Sequence, residues 1–153
     1  MGELRFAERL RLRRAAAGMT QRELAEVSGV KQPWIAALER GVRQPTDAVR
    51  QALEGALEVR PSQLLTLARD RVLAAVAAAG GSDVRIFGSV ATGNDRPGSD
   101  VDLVVRFPPG ADIVTLLTLE VELTDLLTVP VDVVSAGSSS GALDRVLAGA
   151  VPL

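Results

Sequence analysis

The sequence predicts an all-helical N-terminal unit followed by a small α/β unit. Three observations carry that expectation. Apolar residues recur at a three-to-four spacing as far as Ala79, and from Val84 the period changes to that of strands. Charge divides along the same line: residues 1–70 hold twelve Lys/Arg against nine Asp/Glu, whereas residues 71–153 hold five against ten. Finally, aspartates interrupt two β-branched apolar runs, "SDVDLVV" and "VDVVS", both in the second half. At 153 residues and 47% apolar composition, the chain can bury two small cores. The units are expected at 1–67 and 68–153.

In the first unit, Leu4, Ala7 or Glu8, Leu12, and Ala15 or Ala16 space a helix that Gly18 ends. Thr20 is an N-cap, and Glu23 three residues later completes a capping box. Leu24, Ala25 and Val27 form the apolar side of that short helix, which stops at Ser28-Gly29. A second short helix follows in "KQPWIAALERG", with Pro33 in its first turn. A further helix starts at the Thr46 cap and turns Val49, Leu53, Ala56 and Leu57 inward.

Two short helices across a Gly-containing turn are a helix-turn-helix pattern. "MTQRELAEVSGVKQPWIAALERGVRQPT" resembles the lambda-repressor-like, Xre-type DNA-binding family over about residues 3–67. The resemblance implies that the second helix enters the major groove with Lys31, Gln32, Pro33 and Trp34 leading. Gln32 then suits adenine and Lys31 guanine or phosphate. Gln21, Arg40 and Arg43 are positioned for phosphates. Trp34 suits either thymine methyls or a cover over the core. The same pattern also fits a unit that only packs helices or binds protein. Family members commonly bind palindromes as dimers, which implies a homodimer on operator DNA.

In the second unit, "RPSQLLTLARDRVLAAVAAAGG" reads as one helix or two abutting ones, with Leu65, Ala68, Val72, Val76 and Ala79 on one stripe. Strands follow at Val84–Phe87 and in "VDLVVRF", then a helix from Asp112 with apolar Ile113, Leu116, Leu117, Leu123 and Leu127. A strand in "VPVDVVS" and a short helix from Leu143 to Leu147 complete the unit.

Cysteine and histidine are both absent, which excludes disulfides, thiolate sites and imidazole bases. Chemistry must come from carboxylates, hydroxyls, Arg and backbone. Absent cysteine suits the cytoplasm, and neither a membrane span nor a leader is indicated. In a strand, Asp100 and Asp102 would lie on one face, roughly 6–7 Å apart at ~3.3 Å per residue. A neighbouring strand would add Asp132. Three such carboxylates repel unless a cation sits among them, and all-oxygen ligands point to Mg²⁺ or Mn²⁺. Gly88-Ser89 offers N–H groups and a hydroxyl to phosphate. Taken separately, "GS" is also a common turn, and the aspartates also suit local caps. Arg85, Arg96 and Arg106 read as solvated surface, and Glu120, Glu122 and Asp125 as an exposed helix face.

"FGSVATG…GSDVDLVV…VDVVS" resembles the polymerase-β-like nucleotidyltransferase superfamily, and its minimal members (MNT proteins) in size. The resemblance implies a polymerase-β-like α/β fold and two-metal nucleotidyl transfer. Gly88 and Ser89 would hold the triphosphate of ATP. Asp100 and Asp102 would bind two Mg²⁺, and Asp132 would share the ion that activates the acceptor hydroxyl. Thr92 stands where minimal members often carry Arg. The combination resembles an antitoxin of HEPN–MNT toxin–antitoxin pairs. Such an antitoxin transfers AMP to a tyrosine of the HEPN toxin, and the fused helix-turn-helix would repress its own operon. Two alternatives stay open: a transcriptional regulator with an inactive or NTP-sensing nucleotidyltransferase domain, and a small-molecule nucleotidyltransferase, which lacks an acceptor domain here.

Overall fold

The computed structural model describes residues 2–137 and 141–153, with side chains from Arg5 onward, so the inward role expected of Leu4 lies outside the described residues. The chain divides into two compact units, residues 1–59 and 60–153.

The first unit holds α1 (Gly2–Ala16), α2 (Gln21–Ser28), α3 (Gln32–Glu39) and α4 (Asp47–Ala56). Helix α3 packs on α1 and α2, and α2 packs on α4. The capping box closes as expected: the Glu23 N–H donates to Thr20 Oγ1 at 3.1 Å, and the Thr20 N–H to Glu23 Oε2 at 2.7 Å. Leu24, Ile35, Leu38 and Leu53 are fully buried. Val27 is 61% exposed, so Leu24 alone anchors α2. On α1 the inward row is Ala7, Leu10 and Arg14 rather than one through Leu12 and Ala15. Arg14 turns inward because Glu39 awaits it there.

The second unit runs α5 (Pro61–Ala78), β1 (Ser82–Phe87), α6 (Gly88–Thr92), β2 (Val101–Arg106), α7 (Ile113–Leu127), β3 (Val131–Ser135), α8 (Gly141–Gly149) and β4 (Val151–Pro152). The sheet order is β3-β2-β1-β4; β1 is antiparallel to both neighbours, and β2 and β3 are parallel across the α7 crossover. Val84, Ile86, Val101, Leu103, Val105, Val131 and Val133 are buried with Ala68, Val72 and Val76 of α5 and Leu119, Leu123 and Leu127 of α7. Burying that row leaves Ile113 and Leu117, expected inside, exposed on α7. Helix α5 is one continuous helix: Pro61 opens it, and Gln63 Oε1 accepts the Arg60 N–H at 2.9 Å. The expected boundary at 67/68 therefore falls inside a helix. The two-residue β4 has no periodicity to reveal it; it exists only as a partner of Arg85 and Ile86 on β1.

Asp95 ties the loop after α6 to the start of α5. Its side chain is fully buried; Oδ1 accepts Arg60 Nη2–H at 2.8 Å and Oδ2 accepts the Ser62 N–H at 2.8 Å. Burial alone would raise its pKa, but the bonds from Arg60 and Ser62 outweigh that and hold it below the usual carboxylate range. A depressed folded pKa stabilises above the unfolded value of ~3.9 and is lost as pH falls through the folded value. Asp95→Asn is therefore expected to cost about 1–3 kcal/mol at neutral pH. The gap from wild type should close in strong acid, as pH-dependent urea unfolding would measure.

Candidate active site and DNA-contact helix

The β2–β3 register sets Asp102 directly beside Asp132, and the β1 partner of Asp102 is Phe87, just before Gly88-Ser89. Directly paired residues share a sheet face, so these groups lie opposite the buried Leu103 row. Asp102 is half-buried and Asp132 exposed. Asp100 is not in the strand: β2 begins at Val101, and Asp100 occupies the exposed loop ahead of it. The expected pairing along one strand is thus replaced by a pairing across two strands. Among the described residues, no three acidic side chains stand close enough together to hold a metal ion as they are.

Burial, then Asp132, then Asp100 push the Asp102 pKa upward. Among the described residues no Arg, Lys or hydrogen-bond donor pairs with any of these three carboxylates. Gly88 completes the arrangement. Its φ is +72°, and a Cβ there would meet Asp102 Oδ2 at 2.5 Å. Only glycine leaves that carboxylate its place. The donor set is acidic, all-oxygen and uncompensated, and it fits a hard divalent cation.

Helix α6 is a single turn after β1. The Ser89 carbonyl accepts the Asn94 N–H at 2.9 Å and the Thr92 hydroxyl at 3.2 Å. Asn94 Nδ2–H donates to Thr92 Oγ1 at 3.1 Å. The Thr92 side chain therefore closes its own turn. Arg85 and Arg106 lie 3.4 and 3.5 Å from the Asp83 carboxylate, and Arg96 is exposed.

Glu120 departs from the expected exposed face. It is half-buried, and Oε1 accepts the Val133 N–H at 2.9 Å. Thr124, one turn on, accepts the Val131 N–H at 3.1 Å. Because β3 is an edge strand, its outward N–H groups would otherwise lack partners. The i, i+4 pair on α7 clamps the residues on both sides of Asp132. A Glu four residues before a Thr was the available signal, but it means nothing until the strand edge is known.

In the first unit, Glu39 is only 4% exposed and organises the face of α3. Arg14 bonds it through both Nε and Nη2, the latter at 3.0 Å, and Gln21 Nε2–H donates to Oε2 at 2.8 Å. Gln21 then accepts Gln32 Nε2–H at 2.9 Å. Gln21, expected at phosphate, is thus engaged within the protein, and it orients Gln32. Lys31, Arg40 and Arg43 are exposed. Trp34 is half-buried, and its Nε1 is buried with no acceptor among the described residues. Its one polar group is therefore turned away from any base.

Three outcomes follow from the second unit. The raised Asp102 pKa means its stabilising contribution is present below ~3.9 and lost as pH rises through the folded value. Asp102→Asn should therefore melt no lower than wild type at neutral pH. Mg²⁺ at ten to a hundred times its Kd should stabilise wild type by roughly 1–3 kcal/mol and leave Asp102→Asn unmoved, as thermal melts would record. Glu120→Ala should cost about 1–3 kcal/mol and remove hydrogen-exchange protection from the Val133 amide.

A helix-turn-helix family model matches residues 10–64, and a nucleotidyltransferase-domain model matches residues 69–142. Among solved structures, a minimal nucleotidyltransferase is 40% identical, with a TM-score of 0.54 over 60% of this chain and 95% of that one. A toxin–antitoxin crystal structure with AMP-PNP shares the fold at 21% identity and a TM-score of 0.50, over 54% of this chain and 69% of that one. No curated protein matches the chain. With 95% of the minimal nucleotidyltransferase covered at that identity, and the facing aspartates behind Gly88-Ser89, the chain belongs to the minimal nucleotidyltransferases and carries an Xre-like helix-turn-helix domain ahead of the transferase domain.

Proposed function

We propose that this protein is a DNA-binding antitoxin that transfers AMP from ATP to a hydroxyl, expected to be tyrosine, on a partner HEPN toxin, and that it represses its own operon. The observation that carries the transferase reading is the uncompensated Asp102–Asp132 pair packed against Gly88. The toxin–antitoxin structure with AMP-PNP supports a toxin partner and an adenine nucleotide for this reading, and the HEPN class of the partner is a proposal here.

In this reading, Asp100, Asp102 and Asp132 hold Mg²⁺ (or Mn²⁺). When bound, the ion lowers the pKa of the acceptor hydroxyl and neutralises the departing pyrophosphate. The protein's own groups set the geometry. Gly88, lacking a Cβ, leaves the Asp102 carboxylate its place, and the Gly88-Ser89 backbone N–H groups and the Ser89 hydroxyl would donate to the triphosphate. The acceptor oxygen forms a bond to the α-phosphorus, the bond from that phosphorus to the pyrophosphate oxygen breaks, and the hydroxyl proton leaves to solvent. Glu120 and Thr124 hold β3 so that Asp132 keeps its register beside Asp102. The helix-turn-helix unit binds operator DNA as a homodimer, with Lys31 and Gln32 at base edges and Arg40 and Arg43 at phosphates.

Thr92 favours a second reading, a regulator whose transferase domain senses NTP without turnover, because its hydroxyl closes a local turn where minimal members often carry Arg. One experiment separates the two. The protein is incubated with Mg²⁺, α-phosphate-labelled ATP and the HEPN-type product of the neighbouring gene, beside Asp100→Ala/Asp102→Ala. Label on the partner, at background in the variant, is expected. An unlabelled, folded partner across all four NTPs would leave the regulator.

A further inference from the structure

Helix α3 carries the chain's one tryptophan, and its surroundings give it a specific task. We propose that Trp34 reads no base but is a positioning residue. Its ring is the platform on which Arg43 is held toward a DNA phosphate. The proposal rests on the DNA-binding reading of the first unit and adds to it how that cation is placed.

Two independent observations converge. The Arg43 guanidinium carbon lies 5.9 Å from the centroid of the Trp34 ring, within cation–π range. The Trp34 N–H is buried without an acceptor among the described residues. An unsatisfied indole N–H makes tryptophan a worse packing residue than phenylalanine at this position. What tryptophan offers in return is the larger and more electron-rich face, the best of the aromatic platforms for a guanidinium.

The backbone brings the two together. After α3 the Arg40 N–H donates to the Ala36 carbonyl, the Gly41 N–H to Leu38 and the Val42 N–H to Ala37, each at 3.1 Å. Gly41 has a φ of +72°, which glycine adopts without strain, so the chain doubles back along α3 and delivers Arg43 to the Trp34 ring. Arg43 is exposed there, on a side chain that would otherwise lose several free rotors on meeting a phosphate. Stacking restricts those rotors beforehand, and the arginine keeps its outward N–H groups for the phosphate oxygens.

The test uses the full-length protein and two labelled duplexes of equal length, one carrying the region upstream of its own gene and one a scrambled sequence. Anisotropy titrations across a KCl series give the slope of log affinity against log salt. Each phosphate contact contributes roughly 0.9 to that slope, equivalent to a threefold to fourfold difference between ~50 and ~200 mM salt. Arg43→Ala is expected to lose about one contact's worth of slope on both duplexes. Trp34→Leu should lose the same amount, Trp34→Phe should keep most of it, and Trp34→Leu/Arg43→Ala should lose no more than either single change. A role in packing alone predicts that Leu and Phe behave alike. That result, or a Trp34→Leu protein with the wild-type slope, would overturn the proposal.

A second readout needs neither DNA nor a change at Trp34. As the sole tryptophan, its fluorescence reports on the ring, and Arg43→Ala should open the ring to acrylamide quenching. Unchanged quenching would remove the stack itself. Failure of the wild type to bind either duplex would instead defeat the DNA-binding reading, and the proposal with it; binding with an unchanged Trp34→Leu slope defeats the proposal alone.

Discussion

The second unit is built around a repulsion. Asp102 and Asp132 sit beside each other on parallel neighbouring strands, with Asp100 close enough to add to the same field. Nothing among the described residues neutralises them. The cost is held in place by everything around it. Core valines and leucines alternate with the aspartates and fix the register, because a one-residue slip would bury the charges and expose the core. Glu120 and Thr124 satisfy the outer edge of β3 on both sides of Asp132. Gly88 gives way to the Asp102 carboxylate on the remaining side. An uncompensated carboxylate pair of this kind marks a candidate functional centre, and it falls on the aspartates that carry the resemblance to nucleotidyltransferases.

The first unit uses a buried carboxylate to the opposite end. Glu39 is fully satisfied by Arg14 and Gln21, and its task is orientation. From Arg14 the chain of bonds passes through Glu39 and Gln21 to Gln32, and each member leaves the next with one defined amide orientation. Gln32 keeps its carbonyl and one amide N–H, the bidentate set that the proposed contact with adenine would use. One unit therefore spends its buried charge on rigidity, and the other leaves its charge uncompensated. Asp95 belongs with Glu39 in this respect, since Arg60 and Ser62 fully engage it.

The two units also divide the electrostatics of the chain. A net positive helical unit suits a polyanion, and a net negative transferase unit suits cations bound at its carboxylates. Thr92 stands where the resemblance leads one to expect Arg, and the structure gives its hydroxyl a local use in closing the turn after Ser89.

Much of this was written in the sequence. Local signals determined both unit types, the Thr20–Glu23 capping box, the Thr46 cap, the strand carrying Asp102 and the glycine at 88, because caps, periodicity and positive-φ glycines act within a few residues. Tertiary structure alone decided the rest. Whether Asp132 meets Asp102 or Asp100 is a two-residue choice of register, and alternation excludes only odd slips. Glu120 became an edge clamp instead of a solvent-facing charge only because β3 ended at the sheet's edge. Leu119 displaced Ile113 and Leu117 from the core because the sheet chose which stripe of α7 to cover. The two-residue β4 was invisible beforehand, and so was the stack of Arg43 on Trp34. Both join residues that find each other only once the chain has turned back on itself, and spacing along a sequence carries no record of that.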